Sequence, residues 1–137
     1  MTNVRYVLLL GIAALLLSGC HALGMGTCDS PVEQKLNYGV LSYEEGNYQA
    51  SVTALQGVME TGLSSKADQV RAYKYLAFIH CVSSREKMCR DYFRKALEID
   101  PRFDLEPAEA GHPIWGPVFR SVKNRPAQLT RAPITIH

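Results

Sequence analysis

The chain has 137 residues and a formal net charge of +2, with charged residues making up 20% of the sequence. So small a charge, with both signs mixed and no basic stripe, excludes an electrostatic nucleic-acid surface. The length sets a single domain as the expectation.

The first nineteen residues read as a targeting signal. Arg5 gives a positive start, and Val7 to Leu17 is an apolar run. That run is short for a membrane span of about 20 residues and suits the apolar region of a secretory signal. Leu17-Ser18-Gly19-Cys20 follows, small residues running straight into a cysteine. This resembles the lipobox of bacterial lipoproteins. The resemblance implies cleavage before Cys20, a diacylglyceryl group on its thiol, and acylation of the new amine. Several acyl chains hold a membrane firmly where one holds it weakly. By enterobacterial sorting, His21 in place of aspartate implies the outer membrane, with the domain facing the periplasm. Residues 1–19 are then the signal peptide, and 20–30 a lipidated tether containing Gly24 and Gly26. Removing 19 of 137 residues, with Arg5 among them, leaves 118 residues and a net charge of +1. Cys28, Cys81 and Cys89 remain beside the anchor. An oxidising compartment permits a disulfide, and an odd count leaves one thiol unpaired within the monomer.

Four helices are predicted next. Asp29 or Ser30 caps the first, Pro31 suits its first position, and it runs over 31–45 with Leu36, Tyr38, Val40, Leu41 and Tyr43 as its apolar surface. Gly46-Asn47 breaks it. The second spans 47–61, where Val52, Leu55, Val58 and Met59 form one stripe. Gly62 to Ser65 separates it from a third over 66–82, rich in Ala, Tyr and Leu. A short turn at Ser83-Ser84 leads to a fourth over 85–99, ended by Asp100-Pro101. An extended connector follows, from Arg102 to Pro107. Trp115, Val118, Phe119 and Val122 then fall on one helical face within His112–Lys123, with Pro113 and Pro117 tolerable in a first turn. This reads as a capping helix, and 124–137 as a disordered, slightly basic tail without pattern.

Tight turns make the four helices two antiparallel hairpins, an all-α domain over 31–123. Gly39 and Ala77 take matching places on the first helix of each pair, where a small residue lets the partner helix approach. Phe93 to Pro101 resembles the close of a tetratricopeptide repeat, and Tyr43 to Ala50 resembles its turn. The spacing of Gly39 from Ala77 exceeds the family period of about 34, and a longer linker around Gly62 to Asp68 fits the excess. Ser84 and Glu86 depart from the usual glycine and tyrosine. The resemblance implies an α-solenoid of two tetratricopeptide-like hairpins plus the cap. The other reading of the same pattern is an unrelated four-helix bundle. In the tetratricopeptide family, first helices line a concave groove for a peptide or helix. Carried over, that groove holds Leu36, Val40, Tyr43, Arg71, Lys74 and Phe78, with an apolar floor and a basic rim.

No catalytic set emerges, and no cofactor or metal is expected. His80 and Cys81 are neighbours on a helix and point about 100° apart, so they do not face each other. His80 is expected to be a partly buried polar residue with a local partner. Cys81 and Cys89 flank the second turn. Helix spacing permits a disulfide within about 7 Å, whereas the repeat register pairs Ala77 with Cys89, so bond and core readings both stand. Trp115 reads as core filler or as an exposed partner anchor.

A narrower resemblance rests on Phe78 to Cys81, Cys89-Arg90, and His112 to Lys123. Together these are similar to the TssQ-type lipoproteins associated with type VI secretion. The resemblance implies an accessory adaptor at the outer-membrane end of a secretion envelope complex, with an envelope protein as partner. Two alternatives remain: a structural lipoprotein of pilus or outer-membrane protein biogenesis, and a thiol-based redox protein using Cys81 and Cys89.

Overall fold

The computed structural model describes residues 30–125. The signal segment, Cys20, the tether up to residue 29 and the tail from residue 126 lie outside the described residues. Within them the chain is all-helical, with six helices: α1 (Pro31–Glu44), α2 (Tyr48–Thr61), α3 (Lys66–Val82), α4 (Glu86–Ile99), α5 (Pro107–Ala110) and α6 (Trp115–Lys123). None of these is long and apolar enough to cross a membrane.

The ends of the helices follow from local chemistry. Ser30 Oγ accepts from the Glu33 amide, and the Glu33 carboxylate accepts from the Ser30 amide. This reciprocal box satisfies two donors that the first turn leaves without partners. Asn47 caps α2 through the Ala50 amide, and Ser65 caps α3 through the Asp68 amide. Gly46, with φ of 77°, turns the chain out of α1 at a backbone angle that costs other residues energy.

The two hairpins, α1–α2 and α3–α4, turn in the same way. Glu45 N–H donates to Leu41 O, and Ser83 N–H donates to Ile79 O. Gly46 N–H reaches Tyr43 O, and Ser84 N–H reaches Cys81 O. Asn47 N–H and Arg85 N–H close the sets onto Ser42 O and His80 O, each at 2.8 Å. These three bonds recur at one constant offset, the same that separates Gly39 from Ala77, whereas the Tyr48 N–H to Gly46 O bond and the Asn47 side-chain cap belong to the first turn alone. Ser84 adopts φ of 58° where Gly46 has 77°. The serine that replaces the expected glycine thus takes the glycine's backbone conformation.

Packing explains the small residues. A Cβ on Gly39 would stand 2.8 Å from Leu55 Cδ2, so only glycine lets α2 lie this close. Ser51 Oγ, buried at the same crossing, donates to Gly39 O at 2.6 Å. α3 packs on both α1 and α2, and α6 packs on both α3 and α4. The core has two clusters. One joins Leu36, Leu55, Val58, Leu63, Ala72, Leu76 and Ile79. The other gathers Ala77, Phe78, Cys81, Cys89, Phe93, Leu105, Trp115 and Phe119. Tyr43, Tyr75 and Tyr92 pack against both.

Two details depart from expectation. The capping region holds an additional single turn, α5, before α6, and α6 itself begins only at Trp115. The connector before α5 is also less open than its sequence suggests. Leu105 is buried, and Lys123 Nζ ties the connector down through Phe103 O at 3.0 Å and the Asp104 carboxylate at 2.7 Å.

Candidate interaction surface

An aromatic row crosses the first helices of both hairpins. Tyr48, at the start of α2, lies 5.7 Å from Tyr43 of α1, measured between ring centroids. Tyr43 lies 5.1 Å from Tyr75 of α3, and Tyr75 lies 5.9 Å from Phe78. Phe78 stacks on Trp115 at 4.4 Å, which carries the row onto α6. These spacings lie in the range where edge and offset contacts between rings are favourable. The spacing of Arg71, Tyr75 and Phe78 at four and three residues aligns them on one side of α3.

Burial pushes the Tyr43 hydroxyl up to about 12, and the neighbouring Tyr48, Tyr75 and Glu109 add to it. Tyr75 is raised by burial, then by Glu44 and Glu109, with Arg71 opposing. Both phenols therefore stay neutral donors at physiological pH, and the row presents rings and hydroxyls instead of charge.

The six residues expected to line a groove divide in two. Leu36, Val40 and Phe78 are buried in the core, and Tyr43, Arg71 and Lys74 are half-buried. Phe78 does not lie open as a floor, because Trp115 covers it. The rim is also less basic than the sequence implies. Lys74 Nζ pairs with Glu109 at 2.6 Å and lies 4.9 Å from the Tyr75 ring centre, while Arg71 donates to Asn37 Oδ1. The chain's own cap thus occupies one end of the surface. Tyr75 and Tyr48, absent from the expected set, belong to the row. Their signal was the three- and four-residue spacing of Tyr75 from Arg71 and Phe78, and the place of Tyr48 just past the turn.

Trp115 is buried, with its indole N–H donating to Glu109 O at 2.9 Å, so it serves the core and the cap. His80 corrects its expectation. It is 1% exposed, and neither ring nitrogen has a hydrogen-bond partner. Its ring instead stacks on Tyr92, nearly parallel at 5.1 Å. Burial lowers its pKa, and the Arg85 charge lowers it further.

Cys81 and Cys89 are joined by a disulfide, with Cα atoms 5.0 Å apart. Ala77 and Cys81 both belong to the cluster around Cys89, one turn from each other on α3. Cys81 is the nearer of the two to the turn at Ser83-Ser84. Both sulfur-bearing residues are buried, and the bond leaves no free thiol beside His80. Among the described residues no three His, Cys, Asp or Glu side chains gather to hold a metal.

The described residues form an all-α protein of two like hairpins closed by a helix, with an aromatic row running from the first hairpin onto that helix. No family model matches this chain, and neither a curated protein nor a solved structure matches it.

Proposed function

We propose that this chain is a lipid-anchored periplasmic adaptor of the tetratricopeptide type, held at the outer membrane through Cys20 and binding an envelope protein through its first-helix surface. The observation that carries the reading is the recurrence of one hairpin at a constant offset along the chain, with three backbone turn bonds repeated in both copies. Repeated hairpins bury a continuous core only by stacking, and terminal elements close the open end. The buried packing of Trp115 and Phe119 of α6 against the second hairpin supports the capping role. The likeness of His112 to Lys123, Phe78 to Cys81 and Cys89-Arg90 to the TssQ-type lipoproteins favours an accessory place in a type VI secretion envelope complex.

The groove in this reading is shorter than the residue pattern alone suggests, since the cap covers Phe78 and neutralises Lys74. Its usable part is the Tyr48–Tyr43–Tyr75 stretch. A redox role for Cys81 and Cys89 is disfavoured by burial, because thiol exchange needs an attacking thiolate to reach a sulfur.

Two measurements test the reading. Replacing Cys20 with Ser should move the protein from the membrane fraction to the soluble periplasm, and unchanged lipid anchoring would sink the anchor. Co-purification from cross-linked envelopes should recover secretion-complex components. Their absence, with the protein still membrane-bound, would remove the type VI assignment while leaving the anchor.

A further inference from the structure

Ion pairs are distributed unevenly over residues 30–125. All six of those among the described residues join positions between Lys74 and Lys123. The first hairpin carries Glu33, Glu44, Glu45 and Glu60 against Lys35 alone, and none of the five is ion-paired among the described residues. Among the described residues the two most exposed large apolar side chains lie on the same hairpin, Tyr38 at 55% and Leu41 at 51%. Tyr38, Leu41 and Glu45 are spaced by three and four residues, which places them on one face of α1. The opposite face, with Leu36, Gly39 and Val40, is in the core. Glu44 stands three residues from Leu41. The face is therefore apolar at its centre and acidic at its end.

The segment after α6 has the matching chemistry. Residues 125–137 contain Arg125 and Arg131, no Asp or Glu, and the apolar residues Leu129, Ile134 and Ile136. Its reach is sufficient. α1 packs on α3 and α3 on α6, so two interhelical spacings of about 8–10 Å separate the outer helices. Twelve extended residues span about 40 Å.

We propose that the Tyr38–Leu41–Glu45 face of α1 is a docking site for the chain's own basic C-terminal segment, residues 125–137. Apolar residues of the segment cover Tyr38 and Leu41, and Arg131 faces Glu44 and Glu45, which have no cation paired to them among the described residues. The docked segment occupies the outer side of the first hairpin and competes there with any partner. This holds whether or not the secretion assignment does.

Limited trypsin digestion of the full lipidated chain in detergent micelles tests it. Arg125 precedes a proline and resists trypsin, so cleavage after Arg131 reports on the segment alone. Cleavage there should be slower by on the order of tenfold than in a free peptide of residues 124–137, because proteolysis follows the population of the released form. The double variant Tyr38→Ser/Leu41→Ser, and independently Glu44→Lys/Glu45→Lys, should bring the rate to that of the peptide. Ile114→Ser, exposed on the cap, should leave it slow. Circular dichroism confirms that each variant keeps its helices, and two chemically different variants guard against a local folding defect. Equal rates in chain and peptide would overturn the proposal, as would slow cleavage in both double variants. Protection that grows with protein concentration would assign the face to a second copy and overturn docking within one molecule.

Discussion

Gly46 and Ser84 hold the same place in the two hairpins, with φ of 77° and 58°. The first turn uses the residue suited to that backbone region and the second does not. A left-handed conformation costs a non-glycine residue about 1–2 kcal/mol, partly offset by the greater freedom glycine loses on folding. Ser84→Gly should therefore stabilise the protein by about 0.5–1 kcal/mol, and Gly46→Ala should destabilise it by about 1 kcal/mol. Denaturant midpoints of the two variants check both signs.

Gly39 and Gly57 should respond in opposite ways to the same change. A Cβ at Gly39 meets the buried Leu55 side chain, whereas one at Gly57 meets only the end of the Lys35 side chain, which can swing away. Alanine gains about 1 kcal/mol over glycine inside a helix, and overpacking a core costs about 1–3 kcal/mol. Gly57→Ala should raise the unfolding midpoint, and Gly39→Ala should lower it. A stabilised Gly39→Ala would mean that α1 and α2 separate more easily than the contact implies.

Acid should loosen the core at His80. Its ring is buried without a hydrogen-bond partner, and burial first, then Arg85, lowers its pKa. The unfolded chain therefore binds a proton that the folded chain refuses. Stability is full above the ordinary histidine value of about 6.5 and falls as pH drops toward the lowered folded value. Urea unfolding at pH 7.5 and pH 5.5 should show this loss. His80→Phe keeps a ring against Tyr92 and should flatten the dependence. An equal loss in that variant would place its origin elsewhere.

Reduction should weaken the second hairpin without abolishing the fold. The bond between Cys81 and Cys89 closes a span of 8 residues, worth about 2–3 kcal/mol in the chain-entropy account. A Cys81→Ala/Cys89→Ala protein should unfold at correspondingly lower denaturant. Alkylation of the unreduced, denatured protein should leave both positions unlabelled.

Removing the cap's anchor should be the most damaging single change. Trp115 stacks on Phe78 and donates to Glu109 O. Trp115→Ala should cost about 3–5 kcal/mol, the usual range for emptying a buried aromatic site. Amide exchange should then quicken in α6 and α4 more than in α1 and α2.

The helices were legible because breakers and stripes agree. Gly46-Asn47, Gly62 and Asp100-Pro101 mark ends that lie close to those observed. α5 left no signal, since Pro107-Ala108-Glu109-Ala110 is one turn with no apolar period to read. Surface and core could not be separated by spacing. Leu36, Val40 and Phe78 fit a groove floor and a buried face equally well, and only the arrival of α6 over Phe78 decides between them. Lys74 read as a free cation because its partner Glu109 is distant in the chain, on the far side of α4 and the connector. The cysteine pair stayed open because bond formation depends on how far the helices diverge one turn from Ser83-Ser84.

α6 covers the second hairpin, while no described helix covers the outer side of the first. That asymmetry gives the molecule a direction. On the α1 side a neighbouring element would meet the exposed Tyr38 and Leu41, and on the other side it would meet α6.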